Sequence, residues 1–458
     1  MNHAIAPGQK RNNYNSICHA RVLVNSYRSI IESFSGGDRV FRFDLVVIYI
    51  EVHSDAAVDS RSADSYNQIT GRSGCAVANI IDYVLWRGDL PFDQVPAGEV
   101  DALILSYLAY MPFDDIVGEA FDAQDVLLGD AAREILARHE AGELPLAFSP
   151  REDKRLLQAV SESLRFGGLR LCGFVHRFDV QREEQFCALT CLPAHGPAIV
   201  AFRGTDKTVV GWKEDFNMCY SGVVPAQRSA LLYAGDAAAT LSRPLILCGH
   251  SKGGNLAAYA SIFAGKETQD AIACVYNFDG PGFNEEVIGS EEFARVDMRI
   301  RVFVPQASMV GILLWHSEPF TVVRSEGVSV LQHLPYHWKV MGGSLLVADG
   351  LSGDSRLAEI TLKHWLQSLS PELRRQVIDG IYSVLSVSDG HKLSDLFEPR
   401  NVLAIIRAAG AMEEETRAAL VEAFRLLGST LRETLPDFID EKTDELRLRA
   451  MKDRNENE

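Results

Sequence analysis

Several protein classes need things this chain has little of. No apolar run approaches the roughly 20 residues that cross a bilayer; the longest, Leu45 to Ile50, is bounded by Asp44 and Glu51. No integral membrane segment is therefore expected. The N-terminus does not run from a basic start through an apolar stretch to a small-residue cleavage site, and the expected location is the cytoplasm. Positive charge is short too: 45 Lys and Arg stand against 62 Asp and Glu, a net charge of −17. Nucleic-acid binding rests on clustered cations that neutralise phosphates, so no nucleic acid partner is expected. The eight cysteines (18, 75, 172, 187, 191, 219, 248 and 274) include no CxxC pair. Such a scatter fits reduced thiols better than a disulfide framework. Cys187 and Cys191 have no Cys/His group at zinc spacing beside them, and no metal site is expected. What remains, 47% apolar and 23% charged over 458 residues, suits a globular chain with one large domain and additions, or two to three domains.

Residues 1–76 read differently from the rest, with seven Arg against one Lys and only Val40 to Val52 resembling a strand. They form an atypical extension, either poorly ordered or upstream of a true start near Val77. Intact mass of the native protein distinguishes the two. From 77 to 168 the text is helical: Ala78 to Trp86, a second helix with Val100, Leu103, Ile104, Tyr107 and Leu108 on one face, then Val126 to His139 and Asp153 to Phe166. Strand patterns follow at Leu169 to Val180, Gln185 to Leu192 and Ala198 to Arg203. Beyond these, strands and helices alternate. Ala226 to Leu241 and Gly253 to Ala264 read as helices, and Leu245 to Cys248, Ala273 to Phe278 and Arg299 to Pro305 as strands. That alternation over 169–349 predicts an α/β fold with a mostly parallel sheet covered on both faces. From 350 to 458 the pattern is helical again (357–369, 371–385, 401–409, 413–434), ending in a charge-rich stretch, 441–458, expected to be a solvated or frayed tail.

One place carries chemistry. The strand Leu245-Ile246-Leu247-Cys248 runs into Gly249-His250-Ser251-Lys252-Gly253, and the helix beginning Asn255-Leu256-Ala257 follows at once. Strand, tight turn and helix are what a nucleophile elbow requires, with Ser251 as the nucleophile. Side chains at 249 and 253 would collide with the neighbouring strand and helix. The Lys252 amide, at the positive end of the new helix, is an oxyanion donor. Its side chain reads as a rim charge near the acyl pocket, and His250 as packing under the turn rather than serving as base. A second oxyanion donor must follow an earlier strand, and Ile199 to Phe202 ends in Arg203-Gly204-Thr205.

With Gly211-Trp212-Lys213-Glu214-Asp215-Phe216, this block resembles the FRGT/S…DWxxD segment of the class 3, fungal-type lipases. Together with GHSKGG it is more similar to a bacterial family of lipase-like proteins described as Mbeg-like. Asn79 to Tyr83, Leu105 to Tyr110 and Asn277 to Gly282 also resemble that family, and the resemblance spans about 78 to 345. It implies an α/β-hydrolase fold, Thr205 as the oxyanion residue and Asp215 as its support; on chemistry alone Asp215 reads equally as a cap or surface carboxylate. The class 3 acid follows the next strand, in a segment resembling Phe303 to Val310, where this chain has Ser308 and no carboxylate. Chain order in the fold is Ser, acid, His. Asp279, ending the strand after the nucleophile helix, is the candidate acid. His333 is the preferred base, in a loop between Phe320 to Val323 and the last helices, with His316 next and His337 also after the acid.

These residues point to a serine hydrolase of the esterase or lipase type that cleaves a small ester or lipid through an acyl-enzyme, with no cofactor. An acyltransferase would use the same centre. An inactive binding module, or a scaffold with protein contacts through the C-terminal helices, are the rivals. Leu103, Tyr107, Tyr110 and Met111 are either the lining of a lid over the pocket or plain helical core.

Overall fold

The computed structural model describes residues 78–122, 126–206, 208–218, 223–316, 320–327, 329–385 and 413–455. The strand expected at 40–52, the helix at 401–409, and Cys18, Cys75 and Cys219 lie outside them. Eight strands form one sheet in sequential order: β1 Val126–Leu127, β2 Arg170–Asp179, β3 Glu184–Leu192, β4 Ala198–Phe202, β5 Leu245–His250, β6 Ile272–Phe278, β7 Ile300–Pro305 and β8 Thr321–Val323. β1 to β4 pair antiparallel, and β4 to β8 pair parallel. The sheet is mixed, parallel from β4 onward, and helices cover it in an α/β architecture.

Every residue of β3, β4 and β5 is buried, so both faces of the sheet must be covered. Period-two alternation divides the work. Val200 and Phe202 point into a cluster with the crossover helices Pro225–Leu241 and Lys252–Phe263. Ile199 and Ala201 point into a second cluster, under the N-terminal helices α1 Ile80–Arg87, α2 Glu99–Leu108, α3 Leu128–Glu140 and α4 Pro150–Glu162. Leu103, Tyr107 and Met111 are fully buried there. They belong to the apolar cluster on that face, together with Tyr336, Trp338, Val340 and Leu345. This layer is tied by the side-on pair of Arg165 with Asp101, where Nε and Nη2 donate to Oδ1 and Oδ2 at 2.7 Å each.

Three local expectations change. Val126 and Leu127 pair with β2 before the helix begins at Leu128. The helix expected over 153–166 breaks at Ser163, whose ψ of 131° is extended and whose Oγ caps the Phe166 amide of the next turn. The stretch from 441, expected to be a solvated or frayed tail, is helical as far as Asn455, within the helix Glu414–Asn455. That helix packs with Gly353–Ser368 and Pro371–Leu385 around Leu369, Val377 and Ala423.

Candidate active site

The site lies at the C-terminal ends of the parallel strands. Between β5 and the following helix, Ser251 has φ 59° and ψ −134°, a conformation that side chains rarely adopt. Two close approaches hold it there. A Cβ on Gly249 would stand 2.1 Å from the Gly253 carbonyl, and one on Gly253 would stand 2.1 Å from the Phe202 oxygen on β4. The expected collisions are therefore present. The helix N-terminus leaves its first amides without intrahelical acceptors, and the Lys252 amide is among these.

Asp279 follows β6, fully buried and itself at φ 53°. Its amide donates to Phe303 O on β7 at 2.7 Å, which fixes the turn. Its carboxylate is shared by three donors. Ser308 Oγ and the Gly311 amide reach Oδ1 at 2.5 and 3.1 Å, and His333 Nδ1 meets Oδ2 at 2.6 Å. The His333 Nε2 is left uncommitted to the carboxylate.

The loop that carries His333 is anchored from several sides. His250 Nε2 hydrogen-bonds His333 O at 2.7 Å, and the two rings stand 4.5 Å apart. Trp338 Nε1 donates to Gln332 O at 2.8 Å, and the Ala307 amide donates to Gln332 Oε1 at 2.9 Å. Tyr336 and Tyr107 both donate to Asp153 Oδ1, at 2.8 and 3.0 Å, which joins this loop to the N-terminal layer. Burial, and then the neighbouring His333, hold the His250 imidazole well below its ordinary pKa. Neutral and packed beneath the elbow, His250 has the place expected of it.

The other two candidate histidines are elsewhere. His316 is tied through Nε2 to Gly311 O at 2.8 Å, and burial holds it at about 4. It touches the loop around Asp279 from behind, and its ring makes no bond to the carboxylate. The His337 ring borders Gly327, where a Cβ would stand 3.7 Å from its Nδ1, and among the described residues no bond joins it to Asp279.

On the oxyanion side, Gly204 packs so closely that a Cβ would meet the Tyr110 hydroxyl at 2.2 Å and Ser251 Cβ at 3.0 Å. Thr205 Oγ1 donates to Asp215 Oδ2 at 2.5 Å, so the carboxylate is bonded to that hydroxyl. Asp215 Oδ1 has no hydrogen-bond partner among the described residues. Burial pushes the Asp215 carboxyl up to about 6, against the opposing pull of Lys252 and the Thr205 hydroxyl.

The Lys252 side chain corrects an expectation. It is not a rim charge: it is 1% exposed, and Nζ donates at 2.8 Å to Glu214 Oε2, Gln185 O and Gln185 Oε1. Glu214 also accepts from the Ala226 amide at 2.8 Å and the Gln185 amide at 3.1 Å. A buried ammonium needs a carboxylate and full hydrogen bonding to offset its lost hydration, and here it has both. The pair clamps the helix Val209–Asn217, which carries Asp215, to the elbow. Sequence reading missed Glu214 and Gln185. A lysine inside a run of small buried residues was the available signal. Cys187 and Cys191, four apart on β3, are buried, and burial raises both thiol pKa values, Cys187 to about 11.

Residues 160–383 match the family model described as Mbeg1-like. The Mbeg-like resemblance holds over that span, while Asn79 to Tyr83 and Leu105 to Tyr110 lie before it. Among solved structures, the crystal structure of M37 lipase is similar at 14% identity, over 47% of this chain and 70% of that one, with a TM-score of 0.30. No curated protein matches the chain.

Proposed function

We propose that the protein is a serine hydrolase that cleaves a carboxylic ester through an acyl-enzyme on Ser251. One observation carries this reading: Asp279 and His333 meet at 2.6 Å, and the His333 carbonyl is bonded to His250, the residue before a serine held at φ 59° at the start of a helix. His333 Nε2 takes the Ser251 proton as Oγ attacks the ester carbonyl. The amides of Thr205 and Lys252 hold the tetrahedral oxyanion. The imidazolium then gives its proton to the departing alcohol oxygen, the C–O bond breaks, and the acyl group stays on Ser251. Water, deprotonated by His333, attacks this ester, and Ser251 leaves with the proton. Asp279 keeps the proton on Nδ1 so that Nε2 is the basic nitrogen. Asp215 positions Thr205, and no step calls for a metal or an organic cofactor.

A chain-length series of p-nitrophenyl esters on wild type and Ser251→Ala tests the reading. The expected result is turnover by wild type and a loss of at least about 10³-fold in the variant. Equal rates refute it.

A further inference from the structure

Arg203 is a cation that this mechanism leaves without a task. It follows β4 directly, two residues before Thr205, and is 6% exposed. Its Nε and Nη2 hydrogen-bond to nothing among the described residues. The carboxylate beside it, Asp206, has Oδ2 at 3.8 Å from Nη2, too far for a hydrogen bond. The other oxygen of Asp206, Oδ1, accepts from the Thr208 amide and hydroxyl. An arginine cannot shed its proton to escape burial.

The protein treats its other deeply buried cations differently. Lys252 has a carboxylate and two further acceptors. Arg165, 1% exposed, presents the same Nε and Nη2 edge to Asp101, with both bonds at 2.7 Å. That edge is the side of the guanidinium fork that matches the two oxygens of a carboxylate or phosphate. In Arg203 the edge is buried and unmatched.

Its position gives the edge a use. The Arg203 amide continues the ladder to Cys187 O at 2.9 Å, and strand alternation sends the side chain to the face of Ile199 and Ala201, toward the N-terminal layer. The Tyr110 hydroxyl belongs to a side chain of the core on that face. That hydroxyl donates to His250 O at 3.3 Å and lies against Gly204, beside Ser251.

We propose that Arg203 is an anion subsite, and that the ester cleaved at Ser251 carries a carboxylate or phosphate whose two oxygens pair with Nε and Nη2. The inference rests on the hydrolase reading and narrows its substrate to acidic esters. The acid belongs either to the acyl chain or to the alcohol, and matched substrates separate the two. On the acyl side, mono-4-nitrophenyl esters of succinic to adipic acid are compared with their methyl-capped forms, with spontaneous hydrolysis subtracted. On the alcohol side, 1-butyrylglycerol 3-phosphate is compared with 1-butyrylglycerol.

In wild type, kcat/KM for the acidic member of one pair should exceed that of its neutral partner by about tenfold or more, as charge-assisted hydrogen bonds allow. Arg203→Met should bring that ratio to about one, and Arg203→Lys should keep only part of it. The ratio is internally normalised, so a general loss of activity does not alter it. If Arg203→Met fails to fold, the wild-type ratio decides alone. Wild type that cleaves neutral esters at least as well in both pairs refutes the subsite and leaves the hydrolase reading standing. So does a preference that survives Arg203→Met. A chain that cleaves no ester but binds inorganic phosphate by calorimetry, with binding lost in Arg203→Met, keeps the anion site and refutes the hydrolase reading.

Discussion

Ser308 Oγ donates to Asp279 Oδ1 at 2.5 Å while Oδ2 of the same carboxylate meets His333. By the resemblance to the class 3 lipases, their acid falls at or near Ser308. In the proposed mechanism the acid is Asp279, one strand earlier, after β6, and Ser308 hydrogen-bonds to it.

That arrangement makes Ser308 a positioning residue, acting through Asp279. Ser308→Ala should lower kcat by about 10- to 100-fold, the cost of one charge-assisted hydrogen bond, with KM little changed. Asp279→Asn should cost about 10⁴-fold, because an amide stabilises the wrong imidazole tautomer. Steady-state kinetics on a short p-nitrophenyl ester measures both. A Ser308→Ala effect confined to KM contradicts the assignment.

Much of this geometry was readable in the sequence, for local reasons. The strands from Leu169 to Pro305 carry short apolar runs, and the Ser251 turn is specified by its own small residues, so both follow from neighbours in the chain. The Asp279–His333 contact joins residues 54 apart. Chain order pointed to them, but only the packing of β6 beside β5 and the anchoring of Gln332 and His333 bring them together. The Lys252 side chain was misread because its partner, Glu214, lies 38 residues away, and nothing local tells an inward lysine from an outward one. The role of the N-terminal helices was open for a similar reason. Burial of every residue of β3 to β5 shows that both faces of the sheet are covered, which periodicity alone leaves open.

The two leading histidine candidates should separate cleanly. His333→Gln should reduce kcat/KM by at least about 10³-fold, whereas His316→Gln should stay within about tenfold. His316 also predicts a stability effect. Its folded pKa of about 4 lies below the ordinary 6.5, so the unfolded chain binds the proton more tightly. Stability is then lost as pH falls from about 6.5 to about 4. Thermal unfolding of His316→Gln should show a smaller drop between pH 7 and pH 5 than wild type. An equal drop contradicts a buried neutral imidazole.

Asp215 should act in the opposite sense. Its folded pKa, about 6 against an ordinary 3.8, means that the folded state holds the proton more tightly. Its contribution to stability is full below pH 3.8 and is lost as pH rises through about 6. The loss is bounded by about 3 kcal/mol for a shift of this size. Asp215→Asn keeps an acceptor for the Thr205 hydroxyl and removes this dependence. Relative to wild type, the variant should gain stability steadily from pH 4 to pH 7 in denaturation experiments. A pH-independent difference rules the linkage out.

The Lys252–Glu214 pair should behave as a buried charge pair with satisfied partners. Lys252→Met leaves Glu214 charged and unpaired, and should cost about 3 to 5 kcal/mol. Adding Glu214→Gln, which still accepts from the Ala226 amide, should recover part of that loss. A double-mutant cycle by urea denaturation measures the coupling. Additive effects would mean that the pair does not clamp the Asp215 helix to the elbow.

Labelling of the native protein with a fluorophosphonate, read by intact mass and peptide mapping, tests the central claim most directly. The account predicts one adduct, on Ser251, and its loss in Ser251→Ala and in heat-unfolded protein. Folded wild type that takes no label, or takes it on another residue, contradicts the assignment of Ser251 as the nucleophile.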